Sequence, residues 1–120
     1  MFAARGCQSC HAGPAWTTSQ LPGPVGTLAP GGEQVVAAAV HDVGTFVPEH
    51  DITGANGFDV PTLLGLAYTA PYFHDGSAAD LAAVLAHVGH SGAALTAADE
   101  ADLISFLHSL DASNEPFSLP

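Results

Sequence analysis

The stretch that decides how this chain is read is Cys7-Gln8-Ser9-Cys10-His11. Two thiols three residues apart on one helical turn can each add to a vinyl group of one porphyrin. The adjoining imidazole is then carried beneath the iron as proximal ligand. The run has the attachment pattern of haem c, one group held covalently through Cys7 and Cys10 with His11 on the iron. Competing readings are weaker. Zinc takes the same residue types but needs a fourth ligand, usually from a second Cys or His pair at its typical spacing, and no pair at that spacing follows. A thioredoxin-like pair lacks a surrounding βαβ pattern. A disulfide across two intervening residues closes too short a loop to stabilise much.

Outward from the motif, the segment Met1 to His11 reads as a truncated first helix. The residues before Cys7 include Arg5 and do not form a signal peptide. Haem c is normally attached on the exported side of a membrane. The expectation is therefore a periplasmic or otherwise exported protein, either a mature chain or a domain cut from a larger one. Residues 12–33 are rich in proline and glycine and read as loop. Gln34 to Val40 is a short apolar run suited to a strand or buried extended segment. Asp42 to Phe58 returns to turn chemistry, with Gly44, Gly54 and Asn56-Gly57. Pro61 to Ala67 suits a short helix with proline in its first turn.

Two clearer helices follow. Ser77 opens the first, where Leu81, Val84, Leu85 and Val88 fall on one face and Gly89 ends it. Thr96 caps the second, with Asp99 three residues on, and Leu103, Ile104, Phe106, Leu107 and Leu110 form its apolar face. Asp99, Glu100 and Asp102 sit in its first turns, where the helix dipole favours negative charge and where solvated carboxylates are expected. The expected fold is mainly α: one small cytochrome c-like helical domain over residues 1–120, with long loops wrapped around one covalent haem.

Composition limits the partners. The 120 residues carry a formal charge of −11, with one Lys or Arg in total against twelve Asp plus Glu. No basic stripe is available to neutralise phosphates or to dock on an anionic membrane surface. Apolar residues make up 48%, yet no unbroken run is longer than Val35 to Val40, which is far short of a membrane span. With 13 Gly and one Trp, the chain is built from small residues that leave room for a flat macrocycle.

Five landmarks in order carry a family resemblance. They are Phe2 to Trp16, His41-Asp42-Val43-Gly44-Thr45, Phe58-Asp59-Val60-Pro61-Thr62-Leu63, Thr69-Ala70-Pro71-Tyr72-Phe73-His74-Asp75-Gly76-Ser77, and Leu103 to Leu110. Together they resemble the C-terminal haem domain of bacterial di-haem cytochrome c peroxidases and related maturation enzymes. The resemblance implies an electron-transfer centre that feeds a peroxidatic haem in a preceding domain. This chain has one haem motif and matches the electron-transfer half.

The resemblance also marks a departure. The family's distal ligand, Met or Tyr, falls fourteen residues after the His of the Pro-Tyr-Phe-His-Asp-Gly motif, which here is Val88. Valine cannot bind iron, and its place on the apolar stripe makes it a candidate to face the haem. The candidate distal ligands are then His90, in a Gly89-His90-Ser91-Gly92 loop, and secondly His87, about 100° around a helix from position 88. An open, five-coordinate iron beneath Val88 is the alternative. In the family His74 looks like a haem-edge residue near a propionate. Where the family often has Arg after Pro-Thr-Leu, this chain has Leu64-Gly65, so Arg5, His74, Tyr72 or backbone amides must solvate the propionates. Pro14 is a candidate to supply a carbonyl to His11 Nδ1–H, and Trp16 a candidate haem-packing aromatic. His41, His50 and His108 read as surface or hydrogen-bonded histidines.

The functional expectation is a mono-haem electron carrier, free or part of a larger redox assembly, with no acid–base constellation beside an open site. The alternative is a haem domain of a di-haem peroxidase- or oxidase-type enzyme. A zinc-stabilised binding module is the third class. The charge points to a redox partner with a basic docking face.

Overall fold

The computed structural model describes residues 1–18, 40–51, 56–91 and 94–111. Most of the run Gln34 to Val40, read above as a strand or extended segment, lies outside these residues. Among the described residues the regular structure is helical, with three short α-helices, four 3₁₀ turns and two isolated antiparallel bridges.

The N-terminal segment is not one helix. It is two 3₁₀ turns, Ala3–Arg5 and Cys7–Ser9, separated by Gly6 in the left-handed region at φ 76°. That conformation costs glycine little and would strain other residues. The stretch Pro61 to Ala67 also departs from expectation. Its regular part is a single 3₁₀ turn, Leu66–Tyr68, entered through left-handed Gly65.

Helix α1 spans Leu81–Ala86, shorter at both ends than the apolar spacing predicts. Asp80 caps it by accepting the Ala83 N–H at 2.8 Å, so the chain from Ser77 to Asp80 lies outside the helix. At the other end His87 turns extended, with φ −69° and ψ 119°, and breaks the ladder. A separate turn, α2, then runs Val88–Ser91. The break removes Val88 from the stripe of Leu81 and Leu85. Those leucines are buried, and Val88 is 92% exposed.

Helix α3, Ala97–His108, follows its sequence closely. The Thr96 hydroxyl accepts the Asp99 N–H at 3.1 Å, and Asp99 and Glu100 occupy the first turn. Leu103, Leu107 and Leu110 are buried, in one cluster with Phe2, Trp16, Leu63, Leu81 and Leu85. Burying each such leucine contributes about 1.5–3 kcal/mol.

Three aromatic rings tie the haem-motif segment to α3. Phe2, Trp16 and Phe106 stand with centroids 5.5–5.7 Å apart in tilted and edge-on pairs. Two threonines fasten the same segment to residues 60–62: Thr17 donates to the Val60 carbonyl at 2.6 Å, and Thr62 donates to that of Ala15. Gly65 N–H reaches the Leu110 carbonyl at 3.0 Å. Among the described residues no helix is long and apolar enough to cross a membrane.

Candidate haem site

The Cys-Gln-Ser-Cys-His run is wound by backbone bonds onto one carbonyl. Cys10 N–H and His11 N–H both donate to the Cys7 carbonyl, at 3.2 and 2.9 Å. This brings both thiols and the imidazole into adjoining turns. The cysteines are free thiols, half-buried, and Cys7 packs against the apolar cluster. Burial pushes the Cys7 thiol up from its ordinary value, so it is held as the neutral thiol.

His11 is buried, at 9% exposure. Loss of water lowers its imidazole below the ordinary range, and the nearby His90 lowers it further; the Trp16 and Pro61 backbones oppose the shift. A neutral imidazole is the form that binds a metal. His11 Nδ1 is buried and makes no hydrogen bond of normal geometry among the described residues. The backbone groups acting on this ring belong to Trp16 and Pro61, while Pro14 is exposed.

The ring that faces His11 is that of His90. The two imidazole centroids lie 6.2 Å apart with the planes at 70°. A metal bound at about 2 Å to one nitrogen of each ring, with about 1 Å more to each ring centre, holds two centroids about 6 Å apart. The centroid spacing of the pair matches that distance. His90 is exposed as a residue; loss of water at its ring lowers its imidazole, a hydrogen bond to the Val84 backbone opposes the shift, and His87 adds to the lowering. Both imidazoles are shifted toward the neutral form, the one that can bind a metal.

His87 is differently engaged. Its Nε2 lies 2.6 Å from the Val43 carbonyl, which can only accept, so Nε2 carries the proton and is not free to ligate. Its ring tilts against Phe73 at 4.9 Å, and Phe73 also meets His90 edge-on at 5.9 Å. His74 is exposed, stacks on Phe58 at 3.9 Å and pairs through Nδ1 with the Thr45 hydroxyl at 3.2 Å. Of the other groups expected to solvate propionates, Tyr72 donates its hydroxyl to the Leu66 carbonyl at 2.6 Å. Arg5 lies 3.8 Å from Asp99 in the first turn of α3. Trp16 sits in the aromatic contact with Phe2 and Phe106.

Among the described residues no three His, Cys, Asp or Glu side chains converge as a metal site, so zinc has no ligand set there. A cytochrome c551 peroxidase from Nitrosomonas europaea aligns with the whole of this chain at 30% identity over 135 positions. The chain is a distant relative of a cytochrome c peroxidase. It spans 35% of that relative's length, and the similarity supports a haem redox role. No protein-family model matches the chain, and no solved structure does.

Three participants carried no signal by residue type. The Val43 carbonyl is backbone, which any residue supplies. Phe73 reaches both histidines from a left-handed φ of 64°. Gly89 reads in sequence as a helix terminator. In the structure a Cβ there would lie 2.1 Å from the Val43 carbonyl oxygen, so the glycine permits a close backbone approach.

Proposed function

We propose that this chain is a mono-haem c-type electron-transfer domain, with Cys7 and Cys10 as covalent anchors and His11 and His90 as axial ligands. The observation that carries the reading is the pair of facing imidazoles 6.2 Å apart, one of them in the Cys-x-x-Cys-His run. When bound, the haem supplies one-electron ferric–ferrous chemistry. The residues' part is to hold both imidazoles neutral and opposed. His74 and Thr45 are the polar pair offered to a propionate edge, since the Arg5 and Tyr72 side chains are engaged elsewhere. Two imidazole ligands set a lower potential than a His/Met pair would.

The domain occupies residues 1–120, works as a free carrier or within a larger redox assembly, and belongs on the exported, periplasmic side. Its charge of −11 favours a partner with a basic docking face and an association that weakens as salt rises.

Optical and paramagnetic-resonance spectra of the purified protein in both oxidation states, with pyridine-haemochrome analysis, test this directly. The expected result is one covalent haem, low-spin in both states and indifferent to cyanide or carbon monoxide on mixing. A high-spin ferrous form that binds carbon monoxide at once overturns the two-histidine ligation. The peroxidase name of the relative favours the second reading, a catalytic haem domain. Peroxide turnover by the isolated chain would establish that reading in place of electron transfer.

A further inference from the structure

We propose that His87 is the positioning residue for His90: its hydrogen bond to the Val43 carbonyl seats the α2 turn so that the His90 ring stays opposite His11. The proposal rests on the assignment of His90 as distal ligand.

The argument begins with the break in the helix. Had α1 continued past Ala86, positions 87 to 90 would follow its axis. Instead His87 is extended, and the chain restarts as the single turn α2, with His90 N–H on the His87 carbonyl at 3.0 Å. A turn this short makes few hydrogen bonds of its own and needs outside contacts to fix its place.

Two of those contacts converge on one carbonyl. His87 Nε2–H donates to Val43 at 2.6 Å, and Gly89 backs onto the same group so closely that a Cβ would lie 2.1 Å from its oxygen. The Val43 carbonyl belongs to a loop that is itself braced. The Asp42 carboxylate accepts the Gly44 N–H at 2.7 Å and the Phe46 N–H at 3.2 Å. On its other contacts the turn meets the Phe73 ring, which touches both imidazoles. His87 and Gly89 thus flank Val88 on one anchor, leaving Val88 outward and the His90 ring opposite His11. Removing the His87 donor leaves the anchor with the glycine contact alone, and the His90 ring gains freedom to leave the metal.

The test uses the haem-loaded chain and its His87→Ala, His87→Gln, His90→Ala and Gly89→Ala variants. Ferrous protein is mixed with carbon monoxide, ferric protein with imidazole, and ligand entry is followed by the Soret band. His90→Ala should be open on mixing. His87→Ala should admit either ligand roughly tenfold or more faster than the parent at equal covalent haem content. His87→Gln, whose amide N–H reaches the same carbonyl, should return close to the parent rate. Parental exchange in His87→Ala beside an open His90→Ala overturns the positioning role, as does equal acceleration in His87→Gln. A parental spectrum in His90→Ala overturns the ligand assignment instead. Should His87→Ala fail to hold haem, Gly89→Ala decides, because its Cβ must push the turn off the same carbonyl. Faster exchange there supports the proposal, and parental exchange overturns it.

Discussion

The α3 side and the histidine side of this molecule are held together by different means. On the α3 side, Leu103 and Leu107, spaced by a capped twelve-residue helix, and Leu110 just beyond it meet Phe2, Trp16 and Leu63 through apolar surface. On the histidine side, His74, His87 and His90 are placed by single polar or ring contacts to Val43, Thr45, Phe58 and Phe73. Apolar packing spreads its free energy over many atoms and tolerates small displacements. The proposed ligand pair has one working separation, so the second region depends on individual contacts that the first could lose.

If that contrast holds, substitutions on the two sides should fall on different observables. The largest effect is expected from Cys7→Ser combined with Cys10→Ser, which should abolish covalent haem. Haemochrome analysis after acid–acetone extraction measures it, and haem retained in the protein fraction would break the assignment. Next is Leu103→Ala, at a site 3% exposed. It should cost about 2–5 kcal/mol in denaturant unfolding while the low-spin spectrum of the folded protein stays parental. A changed spectrum would show that the two regions are mechanically coupled.

Thr96→Ala removes the α3 cap, and a loss of about 1 kcal/mol is expected, again without spectral change. The smallest effect lies at Asp75. The Ser77 hydroxyl, then the Ser77 N–H, hold its carboxyl below the ordinary value, and the N–H contact is 3.0 Å. A lowered folded-state value means that its small contribution is present above the ordinary carboxylate range and is lost as pH falls through the lowered value. Carbon-detected NMR titration should find this midpoint below that of an unstructured aspartate. A midpoint at the unstructured value would remove the turn from the account.

How much was legible in the sequence follows the same division. Thr96, Asp99 and the α3 leucines are readable because capping and helical period act within a few residues of chain. The earlier helix was overextended for a related reason. Leu81, Val84, Leu85 and Val88 keep a helical period, but period alone does not register the His87 contact to a carbonyl forty-four residues away. At His87 the regular ladder ends, and Val88 beyond it is turned outward. His90 was a candidate because the chain offered few ligating alternatives, and its ring's approach to His11 depends on the same break. Arg5 and Tyr72 carried the right chemistry for propionates, yet their partners Asp99 and Leu66 are apparent only in three dimensions.

By itself, the sequence determined the Cys7-Gln8-Ser9-Cys10-His11 attachment pattern, the acidity and the capped final helix. Each rests on residue type or on spacing within one or two turns of chain. The tertiary structure decided which histidine faces His11 and which is held by a backbone carbonyl. An imidazole can ligate, donate or stack with equal chemical competence, and its surroundings alone select among the three.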